Sequence, residues 1–159
     1  LCWLQVGALL ELVPSYAAGE RLGRLLHEML LERPVLIRQV IVDWELPTAW
    51  LPWLVEYTPA LHVACELIPQ IGNRRWALEL LSWLSLKYPL PQTMELARQA
   101  LRALYREPLI TAAMLQAALR LLEAFPPLVR EFHRLIQRLS RLEGNEGKGG
   151  SGSCKLSCW

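Results

Sequence analysis

Between residues 127 and 142 the apolar side chains Leu128, Phe132, Leu135, Leu139 and Leu142 recur at steps of three and four. That spacing places them on one face of a helix, and Arg130, Arg134, Arg138 and Arg141 form a second stripe beside it. The same arrangement occurs between 92 and 106, with Met94, Ala97, Leu101 and Leu104 on one side and Arg98, Arg102 and Arg106 on the other. Segment 73–87 differs. Trp76, Leu80, Trp83 and Leu84 make one face, yet Leu78, Leu81 and Leu86 cover most of the remainder, as expected of a helix enclosed by its neighbours. Across the chain this period predicts helices near 2–12, 15–32, 34–42, 48–57, 59–68, 73–87, 92–106, 109–124 and 127–142. No run alternates with period two for long enough to make a sheet, so the fold class is all-α.

Prolines separate the segments, many of them in a first helical turn, where the missing N–H has no partner to lose. Ser15, Thr58, Asn73 and Thr93 carry side-chain oxygens able to cap helix starts. Short helices joined by tight turns imply antiparallel neighbours. A pair with its turns takes about 35–45 residues, the size of HEAT-like or armadillo-like units. The expected architecture is therefore a stack of helical hairpins, a piece of an α-solenoid, over residues 1–143; a compact irregular bundle is the alternative. From Gly144 the chain reads "GNEGKGGSGSCKLSCW", a Gly/Ser-rich composition that predicts a flexible tail over 144–159.

Composition sharpens this picture in two ways. The chain of 159 residues is 53% hydrophobic but only 8% aromatic, so its apolar content lies in helix-forming Leu and Ala. Mean hydropathy is +0.20 without any uninterrupted apolar run of the roughly 18–20 residues that span a bilayer. The excess apolar surface is thus expected to meet further chain or a partner, not a membrane. The sequence opens on Leu1 in "LCWLQVGALLEL", with no basic stretch or small-residue cleavage site, and a piece of a longer chain is expected. A net charge of +2 does not by itself imply nucleic acid.

Candidate chemistry is sparse. In "TPALHVACELIPQI" Cys65 shares an apolar stripe with Leu61, Ala64 and Ile68, while His62 sits on its edge, four residues before Glu66. A nucleophile needs a base and an orienting group, and zinc needs about four convergent ligands. Neither set can be assembled, even with His27 included, so a core helix with a histidine on its rim is favoured over an enzyme site. Cys154 and Cys158 lack two further ligands, and "GNEGKGG" lacks both the Lys-Ser/Thr pair and the strand of a phosphate loop. No catalytic residue, metal site, cofactor or small-molecule substrate is expected.

Two surface features remain. The stripe Arg130, Arg134, Arg138 and Arg141 suits an acidic partner or a nucleic-acid backbone, though a solvated helix face would read the same way. Trp44, Trp50 and Trp53, in "DWELPTAWLPWLVEY", suit an interface anchor or internal packing. Between residues 98 and 141 lie eight arginines and three glutamates, so a nucleic-acid-binding repeat is a third reading. No interleaving of basic and aromatic residues supports base stacking, and direct nucleic-acid contact is not expected.

The strings "LELVPSYAAGERLGRLLHEMLLERPVLIRQV", "TPALHVACELIPQI", "LLSWLSLKYPLPQTMELARQAL" and "EAFPPL", in this order, resemble the C-terminal helical region of the Integrator complex subunit 2 family. The resemblance extends over roughly residues 8–140. It implies a large α-solenoid scaffold in a nuclear assembly that acts on RNA polymerase II transcripts. That assembly cleaves nascent RNA, including small nuclear RNA precursors, and terminates transcription. The nuclease and phosphatase activities belong to other subunits, so the resemblance also implies no active site in this chain. The implied partners are the other Integrator subunits and, through them, RNA polymerase II.

Overall fold

The computed structural model describes residues 16–44 and 46–146. The predicted helix 2–12, the Ser15 cap and residues 147–159 of the predicted tail lie outside the described residues. The described residues are helices and turns with no strand, the all-α fold expected. Helix α1 spans Tyr16–Glu32. Helix α2 is a single turn, Leu36–Arg38, continued by a π-helical turn, Gln39–Asp43. The wider π turn lets two consecutive residues, Val40 and Ile41, both face the core. A 3-10 turn, Thr48–Trp50, leads into α3, Leu51–Tyr57.

The predicted helix 59–68 is not α-helical. It forms a 3-10 helix, Pro59–Glu66, and a further 3-10 turn, Ile68–Gln70. Thr58 stands at the start of this segment but makes no capping bond. Its Oγ1 donates instead to the Gly23 carbonyl of α1 at 2.7 Å, and His27 Nδ1 accepts the Ala60 N–H at 3.2 Å. The histidine thus satisfies an orphan amide that the threonine was expected to take.

Helix α4 is Arg74–Lys87, capped as predicted by Asn73 Oδ1, which accepts from the amides of Arg75 and Trp76. Helix α5 is Pro91–Arg106. Thr93 lies inside its first turn, where its Oγ1 accepts the Leu90 N–H at 2.9 Å. Helix α6, Ala112–Ala124, starts three residues later than predicted because Thr111 caps it, accepting from Met114 N at 3.3 Å. A 3-10 turn, Pro126–Leu128, precedes α7, Val129–Glu146, which runs three residues past the 143 boundary expected from composition.

One continuous core joins these elements, with α4 at its centre. Trp76, Leu78, Leu80, Leu81 and Leu84 are all buried, as the nearly continuous apolar surface of that helix predicts. Trp76 Nε1 donates to the Leu46 carbonyl, giving the buried indole its polar partner. Around this centre α1 packs on α3, α4 on α6, and α5 on α7.

Two glycines permit the first of these contacts. A Cβ at Gly23 would lie 2.5 Å from Tyr57 Cβ, and one at Gly19 would lie 2.7 Å from Trp53 Cγ. The relative directions of the later helices follow from their bonds. Arg74, at the start of α4, pairs with Glu107, just past the end of α5, at 3.3 Å, so these two run antiparallel. Arg98 reaches Glu131 at 3.5 Å and Arg138 reaches the Leu104 carbonyl at 3.3 Å, so α5 and α7 run parallel. Since α5 ends near the level of Arg138, the apolar stripe of α7 outruns it. Leu135 is fully buried, Leu139 half-buried and Leu142 44% exposed.

Candidate interaction groove

The parallel register of α5 and α7 turns the two arginine stripes toward one another. Arg102, Tyr105 and Arg106 of α5 and Glu131, Arg134, Gln137 and Arg141 of α7 line a groove of about 460 Å³, with Leu101 also in its lining. Glu131 is the groove's carboxylate and is already engaged, by Arg98 at 3.5 Å and Arg102 at 3.9 Å. Arg106, Arg134 and Arg141 form no ion pair with any described residue. With Glu131 already engaged, these three guanidiniums leave the groove a surplus of positive charge, which favours an anionic occupant.

The predicted α7 stripe therefore divides. Arg134 and Arg141 face the groove. Arg130 is exposed but is not part of the lining. Arg138 is half-buried, its guanidinium 5.8 Å from the Tyr105 ring centroid while it donates to the Leu104 carbonyl. Arg102 and Arg106 complete the opposite wall and were absent from the expected surface, although they stand in the sequence as the polar stripe of α5.

The tryptophan cluster is partly open to solvent. Trp44 and Trp50 are half-buried and pack against the core, and the half-buried Trp53 lies over Gly19. Trp53 also lines a shallow depression with Glu56, Trp83 and Lys87, closed at one side by a Lys87–Glu56 ion pair of 2.8 Å.

His62 and Cys65 do not converge. Cys65 is buried, and desolvation pushes its thiol above the ordinary value, opposite to what a nucleophile requires. His62 is exposed, shares a 3.0 Å hydrogen bond with the Pro59 carbonyl and meets the Tyr88 ring edge-on; it forms no ion pair with Glu66. His27 is committed to Ala60. Among the described residues no three His, Cys, Asp or Glu side chains gather as a metal site. No described helix is long and apolar enough to cross a membrane.

A cluster that sequence reasoning missed lies between α4 and α6. Arg120 Nε donates to Ser82 Oγ at 2.9 Å, Arg120 Nη2 stands 3.5 Å from Glu79 Oε2, and the guanidinium covers Trp83 at 4.4 Å. Burial raises the Glu79 carboxyl above its usual range although Arg120 pulls the other way, and burial likewise lowers Arg120 against the pull of Glu79. The counted surplus of arginines thus overstated the exposed charge, because Arg98, Arg120 and Arg138 are engaged in contacts within the fold.

Fold and groove together define an all-α protein of packed helices with a basic cleft on its surface. Residues 20–146 match the family model of Integrator complex subunit 2, and the chain belongs to that family. It is also 31% identical over 81 residues to a curated relative, the Integrator complex subunit 2 homolog of Dictyostelium discoideum. That match covers 47% of this chain and 6% of the relative, so the chain spans a small part of the relative's length.

Proposed function

We propose that this chain is a non-catalytic scaffold segment of the Integrator assembly, an α-solenoid portion that holds other subunits in place. Its layering supports the solenoid reading: the α4–α5 hairpin stacks on the α6–α7 pair, first helix on first and second on second. In this reading the protein is nuclear and its partners are other Integrator subunits and, through them, RNA polymerase II. It serves the 3′-end processing of small nuclear RNA and transcription termination, with the chemistry carried by other subunits. Family membership over residues 20–146 is the observation that carries it.

The surface assigned to partner contact is the α5–α7 groove itself, whose lining includes neither Arg130 nor Arg138, and the half-buried Trp44, Trp50 and Trp53 contribute mainly to packing. Affinity purification of the full-length protein from nuclear extract, with quantitative mass spectrometry, tests the reading. Enrichment of Integrator subunits and RNA polymerase II is expected. Their reproducible absence would overturn it.

A further inference from the structure

The α5–α7 groove carries more than a general surplus of charge. Arg102 and Arg106 form one wall, and Arg134 and Arg141 the other. Arg141 stands seven positions after Arg134, about 10 Å along a helix. That is the span of roughly three extended residues of a peptide. Gln137 lies between the two arginines on the same wall, where its side-chain amide can bond a peptide backbone, while its Nε2 is now 3.2 Å from His133 Nε2.

We propose that this groove is a docking site for an acidic protein segment, an extended stretch in which Asp and Glu side chains pair with the arginines of both walls. The proposal rests on the scaffold reading above and names the chemistry of one partner contact. Guanidiniums suit carboxylates because their planar donors bond both oxygens at once. The undescribed residues 1–15 and 147–159 hold a single acidic side chain, Glu11, so they are poor occupants and another chain is the better one.

A protein partner is favoured over RNA by the aromatic content of the cleft. Proteins that bind single strands offer free ring faces on which bases stack. Tyr105 is the lining aromatic residue, and the Arg138 guanidinium stands over its ring. The engaged Glu131 would also repel a phosphate backbone at its end of the groove, whereas a peptide can place an N–H or a basic side chain there.

The test is fluorescence anisotropy of a fluorescein-labelled octapeptide of alternating Asp and Glu, titrated with the full chain at about 0.1 M salt. A uridylate octanucleotide serves as the comparison. Arg106→Glu with Arg134→Glu changes one residue on each wall, and Arg106→Gln with Arg134→Gln removes the charge without reversing it. Arg130→Glu makes the same kind of change outside the lining. All these positions are exposed and unpaired among the described residues, and unchanged melting curves verify the fold.

The expected result is peptide binding weakened at least about tenfold by the double reversal, less by the double Gln variant, and within about twofold of wild type for Arg130→Glu. Equal weakening by Arg130→Glu would overturn the proposal in favour of diffuse charge attraction. So would tighter binding of the uridylate, or no binding of the peptide by the wild-type chain. Co-purification with Integrator subunits is scored separately. A chain that co-purifies but ignores the peptide refutes the groove and leaves the scaffold reading standing.

Discussion

Gly23→Ala separates the effects of local propensity and packing by sign. In an isolated helix interior, Ala is favoured over Gly by about 1 kcal/mol, so propensity alone predicts a more stable chain. The structure predicts the reverse. A Cβ at position 23 would lie 2.5 Å from Tyr57 Cβ, 3.1 Å from the Trp53 carbonyl oxygen and 3.3 Å from Tyr57 Cα. None of these atoms is the free end of a side chain that can swing aside, so α1 and α3 must separate.

Overpacking of this kind costs about 1–3 kcal/mol. Separation also stretches the buried 2.7 Å bond from Thr58 Oγ1 to the Gly23 carbonyl, worth about 1 kcal/mol. Set against the propensity gain, the net loss is about 1–3 kcal/mol. At about 2–4 °C per kcal/mol for a chain of this size, Tm falls by several degrees. The assay is thermal unfolding followed by circular dichroism. Gly72→Ala, where a Cβ meets nothing within 4 Å, is the control and is expected to stay within about 1 kcal/mol of the parent. A Gly23→Ala chain as stable as the control, or more so, would refute the close α1–α3 approach.

Glu79 should make stability depend on pH. Its folded-state pKa lies above the ordinary value of 4.5, so the folded chain holds the proton to higher pH than the unfolded chain. Stability therefore falls as pH rises from the ordinary carboxylate value through the raised one, and Glu79→Gln should abolish that part of the slope in urea titrations at successive pH values. An unchanged slope would mean the carboxyl is not desolvated. Cys65, in a chain whose Cys2, Cys154 and Cys158 are replaced by Ser, should resist a thiol reagent when folded and react fully in urea. Rapid labelling of the folded chain would show that the thiol is not enclosed.

Helix α4 was legible because burial on most sides leaves a local signature, an apolar surface that covers most of the helix and confines its polar residues to a narrow strip. The caps were legible only where the partner is close in sequence: Asn73 binds amides two and three residues on, whereas Thr58 turns to a carbonyl 35 positions away. Arg120 read as surface charge because its partners, Glu79, Ser82 and Trp83, come from another helix. Both groove walls were visible as separate stripes. That they face one cleft depends on the parallel register of α5 and α7, which the intervening α6 creates and no local pattern encodes. Leu142 misled for a related reason, since periodicity says which face is apolar but not where the neighbouring helix stops.

The central claim, that this helical segment holds Integrator subunits together without chemistry of its own, is tested most directly by its removal. Full-length protein and a version lacking residues 16–146 would be purified from nuclear extract and their bound subunits quantified side by side. Selective loss of one or more Integrator subunits from the shortened protein, with the rest retained, is the predicted result. Recovery of every subunit at the level of the intact protein would contradict the account.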